Sequence, residues 1–349
     1  MKGKHNSPNR TLAEIGEFGL IGMLRDWLSS GDPRIVLGIG GDAAALEVSG
    51  ERLLLATSDI QIEETHFRRR YATMEQIGWK AMAISLSDIA AMGGAPTYAL
   101  VSLGLCPQLT EDEFGKLFAG LQRAASIHGA KIVGGNLAFS GNRILVDVTL
   151  LGEVERDKIL RRAGAHPGDR IYVSGFPGQS AAGYAVLNRL DRERQTPFSE
   201  LIRAHLEPQP RLALGRLLAE RRLASACIDI SDGLSQDLSR LCEASGVGAE
   251  ISADRLPLSP ELQALAGQLR LDPLQLALHG GEDYELLFAV RLEVPPEKLK
   301  ALQRETGTPL TEIGRILPAE EGLWLQRSGK RARLEPRGWD HFRSQSEKQ

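Results

Sequence analysis

Four short segments that carry aspartates are spread over most of the chain, and each adjoins apolar or glycine-rich sequence. They are residues 38–42 (GIGGD), 57–59 (TSD), 86–88 (LSD) and 228–233 (IDISDG). A carboxylate in such surroundings is costly to bury unless a cation or hydrogen-bond donors compensate its charge. Hard cations such as Mg²⁺ prefer oxygen ligands, and they bind one or two carboxylates together with substrate phosphates. The pattern therefore predicts distant segments that converge on a metal and phosphate site suited to phosphoryl transfer.

The size and charge of the chain limit both its fold and its partners. With 349 residues, 42% of them hydrophobic, it is long enough for two domains with separate cores. The net charge of −3 and the scattered Lys and Arg form no basic stripe, so we expect no nucleic-acid partner. No apolar run approaches the roughly 18–20 residues that cross a bilayer, and we expect no membrane partner. Three scattered cysteines without a CxxC pair favour a reducing, cytoplasmic location.

Helix and strand patterns are mixed in both halves of the chain, which predicts an α/β (α+β) fold. In the first half we expect a disordered tail at 1–12, helices at 15–28, 75–92 and 110–127, and strands at 35–39, 53–56, 98–105 and 144–151. In the second half we expect strands at 171–173, 226–230 and 284–290, and helices from 180 and over 233–243. The charged, weakly periodic stretch between them predicts an N-terminal domain at 13–155 and a C-terminal domain at 160–349.

Residues 228–233 allow two interpretations. Asp229 and Asp232 lie three residues apart where a predicted strand runs into a helix, so their carboxylates can meet if the turn is helical. Close carboxylates raise each other's pKa unless a cation neutralises them. Ser231 or Asp232 could instead cap the following helix, which is the commoner role for one such residue. Two aspartates together at the end of a strand shift the balance toward metal binding.

The remaining candidates are weaker when each is taken alone. Asp42 follows a glycine turn that is neither a Walker loop nor a GxGxxG fingerprint, and it could be an ordinary turn residue. His66 could be a surface histidine, Glu282 part of a hairpin turn, and Arg162 either solvated or a phosphate contact. The chain has no GxSxG and no HExxH sequence, which argues against acyl transfer and zinc hydrolysis.

Taken together, these segments resemble the thiamine-monophosphate kinase family of the aminoimidazole-ribonucleotide-synthetase-like superfamily. The resemblance runs from residue 16 to residue 342, with the segments in the family's order and spacing. It is carried by residues 38–44 (GIGGDAA), 57–59 with 66–67, 86–93 (LSDIAAMG), 228–234 (IDISDGL) and 280–286 (GGEDYEL). The last of these separates the family best from its superfamily relatives.

The resemblance implies a two-domain architecture of this superfamily, in a homodimer whose core is formed by the N-terminal domains. It implies ATP-dependent phosphorylation of thiamine monophosphate to thiamine diphosphate by direct in-line transfer, assisted by several Mg²⁺ ions. An electrostatic role in catalysis falls to Asp42, Asp88 and Asp229, with no covalent nucleophile. The implied metal ligands are Asp42, Thr57, Ser58, Asp59, Asp88, Asn136, Asp229 and Asp232. The implied ATP contacts are Gly135, Asn136, Arg162 and Ser231, and the implied substrate contacts are His66, Glu282 and Trp339.

Two positions depart from the family pattern. Asn136 stands where an aspartate is usual, which removes one negative charge from the implied metal ligands, and Gly41 replaces a common acidic residue before Asp42. Two other hypotheses therefore stay open. The chain could be a superfamily sibling that acts on another acceptor, against which the GGEDYEL segment and Trp339 argue. It could also be a catalytically weak paralogue that binds nucleotide, which Asn136 favours and the remaining aspartates oppose.

Overall fold

The structure, a computed structural model, describes residues 32–339 together with Ile15, Gly19, Ile21 and Gly22. Those four early residues are helical, in agreement with the helix predicted at 15–28, but the rest of that helix lies outside the described residues. The tail predicted at 1–12 lies wholly outside them. No helix among the described residues is both long and apolar enough to span a membrane.

The first half of the described chain forms a six-stranded mixed sheet with helices packed on one face. Its elements are β1 (Ile35–Leu37), β2 (Ala44–Ser49), β3 (Arg52–Ile62), α1 (Met74–Ala91), β4 (Ala95–Leu105), α2 (Glu111–Ile127), β5 (Lys131–Phe139) and β6 (Leu145–Glu155). The strand order is β1-β2-β3-β6-β4-β5, in which only β4 and β5 run parallel. Strand β6 is central, as its apolar residues on both faces predicted, and β5 forms an edge.

The second half forms a seven-stranded sheet with more helices. Its strands are β7 (Arg170–Ser174), β8 (Ala226–Asp229), β9 (Gly248–Ser252), β10 (Leu286–Val290), β11 (Leu310–Leu317), β12 (Leu323–Arg327) and β13 (Lys330–Arg333). Its helices are α3 (Gln179–Arg189), α4 (Arg192–Gln195), α5 (Ser199–Leu206), α6 (Leu212–Glu220), α7 (Leu234–Ser245), α8 (Pro260–Leu269), α9 (Pro273–His279) and α10 (Pro296–Thr306). The strand order is β13-β12-β9-β11-β7-β10-β8, with β9 and β12 parallel and the other pairs antiparallel.

Helix α1 lies at the centre of the molecule and is buried on nearly all sides. It begins with a capping box, in which Thr73 accepts the N–H of Gln76 and the Gln76 side chain accepts the N–H of Thr73. Its packing against α2 depends on glycine, because a Cβ on Gly78 would lie 2.0 Å from the carbonyl oxygen of Leu117. A Cβ on Gly215 of α6 would similarly lie 1.9 Å from the carbonyl oxygen of Ala90. Helix α1 therefore contacts both halves of the protein at backbone distance.

Several predicted element bounds were wrong near the aspartate segments. Strand β3 continues to Ile62, so Thr57, Ser58 and Asp59 lie within the strand and do not follow it. Residues 134–136 lie within β5. The turn at residues 280–283 joins α9 to β10, so the hairpin interpretation of Glu282 was wrong. The domain division between residues 155 and 160 stays a proposal, supported by the separation of the two sheets.

Candidate active site

One cavity of about 1390 Å³ opens where strand β3 and helix α1 meet loops of the second half. It brings together predicted site residues that are up to 297 positions apart in the chain, from Asp42 to Trp339. The predicted site residues that line it are Asp42, Thr57, Ser58, Asp59, His66, Asp88, Arg162, Asp229, Ser231, Asp232, Glu282 and Trp339. Gly135 and Asn136 are the two predicted residues that do not line it.

Asp42, Asp88 and Asp229 form the centre of this cavity, and we refer to them as the carboxylate cluster. One oxygen from each can be chosen so that all three lie within 4.8 Å of one another. The three come from the loop before β2, the last turn of α1 and the end of β8. The helix dipole disfavours a carboxylate in the last turn of a helix, so Asp88 needs another source of stabilisation.

The electrostatics of the carboxylate cluster fit a bound divalent cation. Burial, followed by the charges of Asp59, Asp229 and Asp42, raises the pKa of Asp88 well above its ordinary value. Burial and the charge of Asp42 raise the pKa of Asp229 in the same direction. Because the donor set consists of oxygens and lacks sulfur and imidazole, it suits a hard cation such as Mg²⁺. Such a cation would remove the repulsion that raises these pKa values.

Serine and threonine hydroxyls orient the carboxylates around the cluster. Ser87 Oγ donates to Asp229 Oδ2 at 2.7 Å, and Thr57 Oγ1 donates to Asp88 Oδ2. Ser85 Oγ donates to Asp59 Oδ2 at 2.7 Å, while burial raises the pKa of Asp59. These bonds fix the positions of β3, α1 and β8 relative to one another around the cavity.

The Ser58 side chain lies on the face of β3 opposite to the side chains of Thr57 and Asp59, because side chains alternate along a strand. There its Oγ lies 3.1 Å from Asp147 Oδ1 and 3.2 Å from Thr149 Oγ1, both on the neighbouring strand β6. The charge of Asp147 also contributes to the raised pKa of Asp59, after burial. Asp147 was not among the predicted site residues.

Arg162 binds Asp42 through two of its nitrogens, with Nη2 to Oδ1 at 2.8 Å and Nε to Oδ2 at 3.2 Å. Only 19% of the Arg162 side chain is exposed, so the solvated interpretation of this residue was wrong. Burial alone would lower the pKa of Arg162, but Asp42 outweighs it and raises the pKa above the ordinary value. The guanidinium supplies one fixed positive charge at the edge of the carboxylate cluster.

The loop at 231–233 is held by a residue that sequence analysis missed. The backbone N–H groups of Ser231, Asp232 and Gly233 each donate to Asp237 Oδ2 at 3.1 Å. Arg240 then bridges Asp237 Oδ1 at 3.0 Å and Asp232 Oδ2 at 2.5 Å. The N-cap of α7 is Gly233, which makes no side-chain cap bond, so the prediction that Ser231 or Asp232 caps the helix was wrong.

His66, Glu282 and Trp339 also line the cavity. Glu282 Oε1 lies 2.7 Å from Lys80 Nζ, and Glu282 Oε2 lies 3.6 Å from His205 Nδ1. Although burial opposes it, the charge of Lys80 lowers the pKa of Glu282, so this carboxylate stays ionised. Burial and the nearby Lys80 lower the pKa of His205 to about 3, and the imidazole is therefore neutral. Trp339 is placed by its backbone N–H, which donates to the carbonyl oxygen of Asp232 at 3.2 Å.

Gly135 and Asn136 lie on the edge strand β5, away from the cavity of their own chain. Asp59 is paired with Val148, Val148 with Val101, and Val101 with Gly135, so three strand spacings separate Asp59 from Gly135. At about 4.8 Å for each spacing, this is a separation of about 14 Å. Both Gly135 and Asn136 are exposed.

Comparison with known proteins identifies the family. Models of AIR synthase related proteins match the chain twice, with the N-terminal domain at residues 40–154 and the C-terminal domain at residues 166–324. The thiamine-monophosphate kinase of Aquifex aeolicus is 39% identical over 332 residues, which cover 95% of this chain and 99% of that protein. The chain belongs to the thiamine-monophosphate kinase family.

Other members of the thiamine-monophosphate kinase family agree over the whole length. The Salmonella typhimurium thiamine-monophosphate kinase is 36% identical and covers 94% of this chain and 98% of its own. A solved structure of AaThiL complexed with AMPPCP and TMP superposes with a TM-score of 0.83 at 37% identity. The superposition covers 96% of this chain and 100% of the AaThiL chain. These matches confirm the predicted family and the two-part α/β architecture.

Within this family fold, sequence analysis missed several ionisable residues that support the site, namely Lys80, Asp147, His205, Asp237 and Arg240. Lys80 carried a signal, because it is the one basic residue in an otherwise apolar helix. Asp237 and Arg240 resemble an ordinary exposed i,i+3 pair in the sequence. Asp147 and His205 carried no local signal, because their partners are 89 and 25 residues away in the chain.

Proposed function

We propose that this chain transfers the terminal phosphoryl group of ATP directly to thiamine monophosphate, with thiamine diphosphate as the product. The observation that carries the proposal is the convergence of the carboxylate cluster, Arg162 and Glu282 on a single cavity. The family relationship supports it, as does the related AaThiL structure, which is complexed with AMPPCP and TMP. AMPPCP is an analogue of ATP, and TMP stands for thiamine monophosphate. The cavity can take two such molecules, since about 1390 Å³ exceeds the range of roughly 300–1,000 Å³ usual for one small ligand.

Several Mg²⁺ ions would be held by the carboxylate cluster together with Thr57, Ser58, Asp59 and Asp232. When bound, such ions screen the charge of phosphate groups and stabilise the negative charge that spreads over a transferred phosphoryl group. The protein's contribution is to hold the oxygen ligands in place through the Ser85, Ser87 and Thr57 hydrogen bonds. We propose that Arg162 and Ser231 bind the nucleotide beside these ligands.

His66, Glu282 and Trp339 would bind thiamine monophosphate in the same cavity. An ionised Glu282 can accept a hydrogen bond from an amino group, and the Trp339 ring can stack on a cationic thiazolium ring. Lys80 holds Glu282 from the protein side, so the carboxylate keeps its orientation when no substrate is present. The cavity would thus bind the organic part of the acceptor apart from the phosphate chemistry.

No strong base is needed for this reaction, because the attacking oxygen belongs to a phosphate that is already ionised at neutral pH. Among the described residues of the cavity, His205 is neutral and bonded to Ser180, and His66 Nδ1 accepts the N–H of Ile62. The side chains would act by positioning the two phosphate groups and by stabilising charge.

We further propose that the protein is a cytoplasmic homodimer. The face of the first sheet opposite α1 exposes apolar side chains, including Ile60, Tyr98 and Leu100, at 44%, 51% and 45%. Exposed apolar patches of this kind are typical of protein interfaces. Because Gly135 and Asn136 lie near this face and cannot reach their own cavity, they would serve as nucleotide and metal contacts only from a second copy. The three buried free cysteines support a reducing location.

The test is formation of thiamine diphosphate from ATP and thiamine monophosphate across a Mg²⁺ titration. We expect product with saturable dependence on both substrates, and none from an Asp229→Asn control. If the folded protein bound ATP but formed no product at any Mg²⁺ concentration, the acceptor would be another molecule or the protein would bind nucleotide without catalysis. The same titration shows what Asn136 costs in metal demand.

A further inference from the structure

Asp147 lies beside the proposed metal ligands but belongs to none of the family segments described above. It is on β6, where it is half-buried, and its Oδ1 lies 3.1 Å from Ser58 Oγ on β3. We propose that Asp147 is a positioning residue of the metal site, which acts on bound Mg²⁺ through Ser58 and through its charge. This inference rests on the proposed function, since it assumes that Ser58 is a metal ligand.

The first argument concerns the hydroxyl of Ser58. A hydroxyl that binds a cation uses an oxygen lone pair, so its hydrogen must point to another acceptor. Thr57 shows the arrangement on the other face of β3, because its Oγ1 donates to Asp88. For Ser58 the acceptors within reach are Asp147 and the hydroxyl of Thr149, and an ionised carboxylate accepts the stronger bond. When the Ser58 hydroxyl directs its hydrogen to Asp147 on β6, its oxygen lone pairs point away from β6, where they can bind a cation.

The second argument concerns charge. Asp147 is paired with Ser102, and Ser102 with Asn136, so all three side chains lie in one row on the same face of the sheet. Asn136 is the position at which the family pattern has a carboxylate and this chain has a neutral amide. Asp147 therefore places a negative charge on the sheet face where Asn136 lacks one, at the distance of a hydrogen bond from Ser58. In the proposed dimer, the amide that reaches a site is the Asn136 of the second copy, so the Asp147 of the chain that holds Ser58 would supply that site with a negative charge that the neutral amide does not.

The test is Mg²⁺ binding to the full-length protein with AMPPCP present, measured by calorimetry so that turnover plays no part. Partners that orient metal ligands typically change metal affinity by about 10–100-fold. We expect Asp147→Asn, which keeps an acceptor but loses the charge, to weaken Mg²⁺ binding by about tenfold, and Asp147→Ala to weaken it further. Glu153→Gln is the matched control, because Glu153 lies on the same strand and face and forms an ion pair with the exposed Arg52. We expect it to bind Mg²⁺ as the wild type does.

The metal-free unfolding temperatures separate positioning from a structural role. We expect Asp147→Asn to match the wild type without Mg²⁺ and to gain less stability when Mg²⁺ is added. Equal Mg²⁺ affinities in wild type, Asp147→Asn and Asp147→Ala would overturn the inference, as would loss of metal-free stability in both variants without loss of affinity. If the wild type itself bound no Mg²⁺, the proposed function would fail instead. Asp229→Asn is a second control. We expect it to lose Mg²⁺ binding, which would show that the assay reports on the carboxylate cluster.

Discussion

At the scale of single residues, the site is a balance between carboxylates that repel one another and hydroxyls that orient them. Asp229 is buried and Asp88 is half-buried, and each receives one hydroxyl hydrogen bond, from Ser87 and Thr57 respectively. Those bonds fix the direction of the carboxylates without neutralising their charge. Carboxylates held this close together in a cavity mark it as a candidate functional site, and we propose a divalent cation as their ligand.

We expect Asp88→Asn or Asp229→Asn to reduce kcat by at least 10³-fold, because each removes a full charge from the carboxylate cluster, a loss of about 4 kcal/mol of transition-state stabilisation. Both variants should fold, since the lost charge also relieves repulsion between buried carboxylates. The measurement is thiamine diphosphate formation at saturating substrates, with chemical unfolding as the control for folding. Near-wild-type kinetics in either variant would show that the residue is not an essential ligand.

Asp283 gives a residue-scale prediction about pH. Burial raises its pKa to about 8, although the N–H groups of Gly178 and Ser180 donate to it at 2.6 and 3.0 Å. An unfolded aspartate has a pKa of about 3.9, so the folded state binds this proton more tightly. The resulting stability is fully present below about pH 4 and is lost as the pH rises through about 8. We expect urea unfolding between pH 5 and 8 to show the wild type losing stability relative to Asp283→Asn, and parallel pH curves would contradict this.

At the scale of elements, α1 determines the geometry of the cavity, because a single continuous helix carries Lys80, Ser85, Ser87 and Asp88. Its position relative to the first sheet is set by α2, and relative to the second half by α6. Both contacts use glycines at backbone distance, so the helix cannot shift without opening the packing. Changes at these glycines should affect both stability and the site.

We expect Gly78→Ala to lower the free energy of unfolding by about 1–3 kcal/mol, as overpacking typically does. The reason is that the added Cβ would lie 2.0 Å from the Leu117 carbonyl oxygen, which belongs to helix backbone and cannot rotate away. Gly115→Ala on α2 is the matched control, because a Cβ there meets nothing within 4 Å. Alanine at that exposed position should stabilise the helix by up to about 1 kcal/mol. Equal effects in urea denaturation would show that the close approach of α1 and α2 is unimportant.

The elements also show what sequence can and cannot predict. The bounds of α1 and α2 were predicted within about one residue, because capping boxes and the glycines after α1 are local signals. Strand β3 was predicted to end before Thr57, since polar residues interrupt its apolar pattern, and only pairing with β6 keeps them in the strand. Likewise the proposed ligands were visible as motifs, whereas Lys80 and Asp147 depend on contacts that form only when distant segments fold together.

At the scale of the whole molecule, the first sheet presents two different faces. One face is covered by α1 and α2, and the other exposes apolar residues beside Ser58 and Asp147. Gly135 and Asn136 lie on the edge strand of the same sheet. The proposed dimer would therefore cover apolar surface and complete the active site at the same time.

We expect Leu100→Arg to shift the protein from dimer to monomer in light scattering coupled to size exclusion, because it places a charge at the centre of the exposed apolar face. Leu292→Arg is the control, since Leu292 is 68% exposed but lies in the second half after β10. The control should keep the mass of the wild type. If wild type and both variants shared one mass, this face would not form the interface. A monomeric Leu100→Arg should also lose turnover, because Gly135 and Asn136 could no longer reach a neighbouring site.

The central helix has a consequence for which acceptors the enzyme can use. Lys80, which holds Glu282, and Asp88, in the carboxylate cluster, are eight residues apart on α1, about 12 Å along its axis at 1.5 Å per residue. Because one unbroken helix carries both residues, the distance between Lys80 and Asp88 is fixed. It cannot lengthen or shorten to suit a longer or shorter acceptor. On the proposed function, we expect the protein to select its acceptor by length as well as by chemistry, with a span set by about two turns of a single buried helix.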